Sequence, residues 1–106
     1  LEAMWPSDRF TRERLDGTHL AWVASLPESL RIEPGLLLVH GRPGDDNAYL
    51  LEEPVSGAGV RPRAPEAVAA DLAGVGDPVI LCGHSHVPRL VRVAERWSVF
   101  NPGSVG

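Results

Sequence analysis

The apolar positions of this chain fall into a helical repeat first and strand-like runs afterwards. From Thr18 to Leu26, Leu20, Trp22, Val23 and Leu26 recur near a 3.6-residue period. That spacing predicts a helix with Thr18 as N-cap and Pro27 as its stop. Leu30-Arg31-Ile32 then alternates as a strand does, Glu33-Pro34-Gly35 carries turn residues, and Leu36 to Val39 is a short apolar run. Together they predict a hairpin whose second strand is buried on both faces and ends at His40-Gly41.

From Glu53 to Pro65 the pattern breaks. Pro54, Gly57, Gly59, Pro62 and Pro65 predict a surface loop without regular structure. Pro65 suits the first position of a following helix, in which Ala67, Val68, Leu72 and Val75 form one stripe, with Gly74 and Gly76 ending it before Pro78. Val79 to Cys82 is a second run suited to a buried strand, and further strands are expected over Leu90 to Val93 and Trp97 to Phe100. Strand, helix and strand in this order, with apolar strand runs, predict an α/β sheet protein.

Composition narrows the classes of function. The 106 residues are 43% hydrophobic and 23% charged, which suits one small globular domain, 1–106, whose elements all serve a single core. Ten basic against 14 acidic residues leave a net charge of -4, so nucleic acid is not expected as a binding partner, nor is an anionic membrane surface. No apolar run approaches the roughly 20 residues a membrane span needs. One cysteine, Cys82, makes no internal disulfide and reads as a small buried hydrophobe. A soluble, cytoplasmic protein is the expectation. The chain starts on Leu1 and stops in the turn-rich Asn101-Pro102-Gly103-Ser104-Val105-Gly106, so neither end reads as a domain boundary.

In open α/β sheets, chemistry gathers on loops at the carboxyl ends of the strands. His40 ends one apolar run and precedes Gly41, and His84 and His86 follow the other, after Gly83. Neutral imidazole is a good ligand for first-row cations, and side chains at i and i+2 of an extended segment share a face. The three are therefore candidate metal ligands. His19 has no partner at ligand spacing and is read as a helix-N-terminal residue, Asp45 and Asp46 as solvated turn residues, and Arg42 as a candidate phosphate contact. A cupin-type site would want a glutamate four or five residues after the second histidine, where Leu90 and Val91 stand.

Gly83-His84-Ser85-His86-Val87-Pro88 resembles the Gly-His-x-His motif of the calcineurin-like metallophosphoesterases, and Asn101-Pro102-Gly103-Ser104 resembles their Asn-Pro-Gly-Ser loop. His40-Gly41-Arg42-Pro43 is similar to that family's His-Gly element, and Trp22 to Pro27 with Tyr49-Leu50 are similar to flanks in its bacterial predicted phosphodiesterases. The resemblance implies an α/β/β/α sandwich hydrolysing phosphoric esters, as a phosphodiesterase or phosphatase, with two divalent metal ions (manganese, iron, zinc or nickel) and a bridging hydroxide. Carried over, His40 and His84 would bind one ion and His86 the other. Gly83, Asn101, Gly103 and Ser104 would form a loop positioning the site, and Arg42 would contact a small phosphoester substrate.

The family's Asp-x-His, its metal-bridging Gly-Asp and its Gly-Asn-His-Asp/Glu element have no counterpart here. Asp16-Gly17-Thr18-His19 has the wrong spacing, while Gly44-Asp45 and Gly76-Asp77 come after His40. The chain thus resembles the C-terminal half of the sandwich. The expectation is a partial domain, inactive alone, with no catalytic residue assignable, that requires an N-terminal half or a second copy. The other reading is a non-enzymatic metal-binding or interaction module derived from the same fold.

Overall fold

The computed structural model describes residues 4–105. Among these residues the helices are α1 (Pro6–Arg14), α2 (Gly17–Ser25) and α3 (Pro65–Leu72). The strands are β1 (Ser29–Glu33), β2 (Leu36–Val39), β3 (Glu52–Val55), β4 (Gly59–Pro62), β5 (Val79–Leu81), β6 (Arg89–Val93) and β7 (Trp97–Asn101). Five of them form one sheet in the order β1-β2-β5-β7-β6, and β3 pairs with β4 in a separate ribbon. The three central strands β2, β5 and β7 run parallel, and β1 and β6 are antiparallel to their neighbours. The expected α/β class is therefore observed, with a mixed sheet.

Two neighbouring rows of side chains cross this sheet and meet opposite fates. Leu37, Ile80 and Val99 are register partners on the inner face, each 4% exposed or less. Val68 and Leu72 of α3, Leu50, Leu51 and Val75 share their core. Trp97 seals it, its indole N–H donating to the Val75 carbonyl at 3.0 Å. One residue along, Leu30, Leu38, Leu81, Phe100 and Leu90 are register partners on the outer face. Nothing among the described residues buries that row: Leu38 is 37% and Leu90 74% exposed.

Burial of β2 and β5 on both faces is thus corrected. In β2 Leu37 and Val39 are buried while Leu38 is exposed, and in β5 Ile80 is buried while Val79 is exposed. Among the described residues, only the inner face has a layer packed on it. The single shared core is corrected likewise, because neither α1, α2 nor β1 buries a residue. The radius of gyration, 15.6 Å, exceeds the roughly 13 Å of a compact domain of this length.

Local chemistry accounts for the remaining differences. Helix α1 has Pro6 at its start, Asp8 in its first turn and Arg12 and Arg14 in its last, all suited to a helix dipole, but it carries no apolar stripe that would reveal it. Helix α2 is capped by Asp16 rather than Thr18: the carboxylate accepts the His19 backbone N–H at 2.9 Å, and the His19 ring sits 3.0 Å from it. The Glu53–Pro65 segment forms the β3–β4 ribbon instead of an irregular loop. Each strand of a two-stranded ribbon has a free edge, which tolerates Pro54 without a ladder donor, and Gly57 and Gly59 supply the positive φ of the turn, 70° and 82°. No helix among the described residues is long and apolar enough to cross a membrane.

Candidate metal centre at the sheet edge

Because β2, β5 and β7 are parallel neighbours, the loops that follow them emerge at one edge of the sheet. His40 follows β2, Gly83 to His86 follow β5, and Asn101 ends β7 with Pro102 to Ser104 after it. The first two loops are tied where they leave the sheet, the Gly83 N–H donating to the His40 carbonyl at 2.9 Å. The rings of His40 and His84 then meet, with His40 Nε2 3.1 Å from His84 Nδ1.

The tautomer of His84 follows from its other nitrogen. Nε2 lies 3.2 Å from the backbone carbonyl of Asn47, which can only accept, so Nε2 carries the proton and Nδ1 presents its lone pair toward His40. A second nitrogen fixed by a carbonyl is the usual support of a metal-ligating imidazole. The Tyr49 ring packs on His84 at 4.7 Å between centroids and holds its plane. Two nitrogens on one tetrahedral ion, each about 2.0–2.1 Å from it, stand about 3.3 Å apart. His40 and His84 therefore fit two positions on one cation.

His86 does not join them. Among the described residues no group of three or more His, Cys, Asp or Glu side chains gathers closely enough to hold an ion. The backbone explains why. His84 and His86 adopt φ values of 67° and 61°, so the turn is not extended and side chains two apart no longer share a face. Left-handed backbone costs a non-glycine residue about 1–2 kcal/mol, and the surroundings must hold both.

The Asn-Pro-Gly-Ser loop contributes to that hold. Asn101, only 1% exposed, donates from Nδ2 to the Gly83 carbonyl at 3.0 Å and to Ser85 Oγ at 3.1 Å. Its Oδ1 accepts the Gly103 N–H at 2.9 Å. Gly103 has φ 81°, and a Cβ there would come within 3.2 Å of Pro88, so this turn requires glycine. Ser104 follows it, exposed. Gly83 is less constrained, since a Cβ would meet only the His40 carbonyl at 3.6 Å.

Crowding falls instead on Gly41. A Cβ there would collide with the Ala48 carbonyl oxygen and approach those of Asp45 and Asp46 at 2.9 Å. The 42–48 loop folds over this glycine through reciprocal backbone hydrogen bonds between Arg42 and Asp45, both 3.0 Å. Asp45 and Asp46 are exposed turn residues, as expected, and Asp45 accepts the Asn47 N–H at 3.0 Å. Arg42 Nε donates to the Tyr49 carbonyl at 2.8 Å and lies 3.5 Å from Asp71. A cleft of about 280 Å³ is lined by His40 together with Ser29, Leu30, Leu38 and Asp46 among others.

Glu52, Asn47 and Tyr49 also shape the site, yet the sequence did not single them out for it. Glu52 is 2% exposed and accepts the Ser85 hydroxyl at 2.8 Å, with Arg89 Nη1 3.4 Å away. No spacing rule links a glutamate to a serine 33 residues later. Cys82, buried beneath this group, has its thiol pushed up to about 11, by burial first and by the negative charge of Glu52 second. It is the inert residue the sequence implied.

No family model matches this chain, and no curated protein matches it. Among solved structures, it is similar to a metallophosphoesterase from Sphaerobacter thermophilus, with a TM-score of 0.66 and 21% identity. The similarity covers 100% of this chain and 49% of that one, so the chain spans about half the length of the protein it matches. At this identity the likeness carries the fold.

Proposed function

Starting from a chain that folds as the C-terminal half of a metallophosphoesterase, we propose that it supplies part of a dinuclear metal site for hydrolysis of a small phosphoric ester. The observation that carries the reading is the approach of His40 Nε2 and His84 Nδ1 to 3.1 Å at the carboxyl edge of parallel strands. Manganese, iron, zinc or nickel would supply charge to polarise a phosphoryl oxygen and to make water nucleophilic near neutral pH.

The chain's own residues then have distinct tasks. His40 and His84 offer two nitrogens to one ion, with the His84 tautomer set by the Asn47 carbonyl. His86 is proposed as a ligand of the other. Asn101 ties the Gly83–Ser85 turn to the end of β7, and Gly103 closes the loop behind it. Arg42 is the proposed phosphate contact: a guanidinium has five N–H donors, and Nε is the one anchored on Tyr49.

The donors still needed are proposed to come from a complementary N-terminal half packed on the outer face of the sheet. Two facts support this occupant. The matched protein is about twice as long, and the Leu30-Leu38-Leu81-Phe100-Leu90 row offers an apolar face spanning all five strands. Residues 1–106 are accordingly read as a partial domain, inactive alone. Turnover of bis-p-nitrophenyl phosphate and p-nitrophenyl phosphate by the intact protein with Mn²⁺ tests the reading. Metal-dependent hydrolysis lost in His84→Ala supports it; hydrolysis that persists in both His40→Ala and His84→Ala overturns it.

The absence of a third His, Cys, Asp or Glu beside the pair among the described residues favours a second reading, a non-enzymatic metal-binding or interaction module. Stoichiometric metal uptake by the intact protein, without hydrolysis of either ester, would select it.

A further inference from the structure

We infer that Glu52 is a positioning residue, acting through the Ser85 hydroxyl to hold the His84-Ser85-His86 turn in its left-handed conformation and so deliver the His84 ring to His40. The inference rests on the proposed role of His84 as a ligand. Its basis is a complete account of one hydroxyl. Ser85 Oγ has a single proton, and that proton is donated to Glu52 Oε1 at 2.8 Å. Its oxygen is thereby left to accept, and two donors point at it: Asn101 Nδ2 at 3.1 Å and the Val87 N–H at 3.5 Å.

An ionised carboxylate is the group that enforces this polarity, because it can only accept. Were the proton turned elsewhere, Ser85 would offer hydrogen to the Asn101 amide, which already offers its own. Glu52 is itself held from behind. Arg89 Nη1 lies 3.4 Å from Oε2 and donates to the Leu51 carbonyl at 3.0 Å, which pins the guanidinium to the backbone next to Glu52. No buried side-chain polar atom among the described residues is left without a partner, so the network is closed.

What the network closes around is strained. His84 and His86 flank Ser85 with φ 67° and 61°, and the Ser85 N–H donates to the Gly83 carbonyl only two residues back, at 2.8 Å. So tight a turn of non-glycine residues persists where its surroundings over-determine it. Glu52 lies at the start of the β3–β4 ribbon, outside the motif loops, and it reaches the turn through Ser85.

The test uses the intact protein with Glu52→Gln, Ser85→Ala and Ser85→Thr. Glu52→Gln keeps the shape and can donate to Ser85, reversing the bond; Ser85→Thr keeps the hydroxyl. The first readout is metal-free: ¹⁵N-histidine NMR of the His84 ring, whose two nitrogens report the Asn47 and His40 contacts. The second is Co²⁺ affinity. Near-UV circular dichroism from Trp97 verifies that each variant is folded. Expected are displaced His84 ring signals and at least a tenfold loss of Co²⁺ affinity in Glu52→Gln and Ser85→Ala, with Ser85→Thr close to wild type. Unchanged His84 signals in folded Glu52→Gln and Ser85→Ala would overturn the inference. A wild type that binds no Co²⁺ would instead overturn the ligand role of His84, while the ring signals still decide whether Glu52 positions it.

Discussion

His40 and His84 stand 44 residues apart in sequence, and their facing nitrogens are 3.1 Å apart. The approach follows from parallel pairing of β2 with β5, which places both strand ends at one edge. Removing either nitrogen leaves a single imidazole. His40→Ala and His84→Ala are each expected to lower Co²⁺ affinity on the order of a hundredfold, a loss at least as large as that from removing groups that merely support a ligand. Titration followed by the visible spectrum of Co²⁺ checks this, and a variant within twofold of wild type would show that its ring is no ligand.

Gly41 and Gly83 look alike in the sequence, each beside a candidate ligand, and the structure separates them. A Cβ at Gly41 would press on three carbonyl oxygens of the loop that carries Asn47, whereas one at Gly83 would make an ordinary 3.6 Å contact. Gly41→Ala is expected to cost about 1–3 kcal/mol as overpacking against backbone, and Gly83→Ala to stay within about 0.5 kcal/mol. Urea denaturation of both variants checks the difference. Equal effects would mean that the 42–48 loop gives way around the new methyl group.

That contrast shows where the sequence was legible. Strand runs, the Pro65 helix start and the histidines at strand ends were visible because periodicity, proline and glycine act over a few residues. The β3–β4 ribbon was hidden because its prolines occupy free edges, and α1 because Phe10 is a single large apolar side chain with no partner at helical spacing to make a stripe. The pairing of His40 with His84 rather than with His86 depends on positive φ at two histidines, which glutamate, serine and asparagine from three separate segments sustain. Contacts of that kind leave no local pattern.

Away from the site, Asp77 and Arg31 join the loop before β5 to the edge strand β1. Arg31 Nε and Nη2 both donate to the carboxylate, at 2.8 to 3.1 Å, and Asp77 is 6% exposed. These hydrogen bonds hold the Asp77 carboxyl below its ordinary value of 3.8, against the opposing effect of burial, and raise Arg31. A lowered folded value means stability fully present above the ordinary carboxyl range and lost as pH falls through it toward the folded value. The urea midpoint is expected to fall below about pH 4, with a shallower fall in Asp77→Asn. An identical acid profile in that variant would show that the pair contributes nothing.

For Cys82 the sign is reversed. The residue is 5% exposed and its thiol is raised to about 11, so the folded chain keeps the proton that an unfolded chain gives up above its ordinary 9.0. Stability from this group is therefore full below pH 9 and declines above it. Iodoacetamide at pH 8 is expected to leave the native thiol unmodified and to alkylate it fully in urea. Rapid native alkylation would mean that the core at the end of β5 opens readily.

The outer row of the sheet gives the sharpest test of the complementary half. Leu81 is its central member, paired with Leu38 on one side and Phe100 on the other. A leucine buried at such a position contributes about 1.5–3 kcal/mol, and a lysine forced into the same place adds the penalty of an unpaired charge. If the intact protein covers this face, Leu81→Lys is expected to destabilise it by at least about 3 kcal/mol, whereas lysine at an exposed position such as Leu90 on an uncovered sheet would change little. The two variants must therefore be compared by denaturation in the intact protein. Large losses for both place the whole row beneath a second layer. A loss for Leu81→Lys alone confines the cover to the centre of the sheet, and near-zero changes for both would leave the row in water and remove the support for a packed N-terminal half.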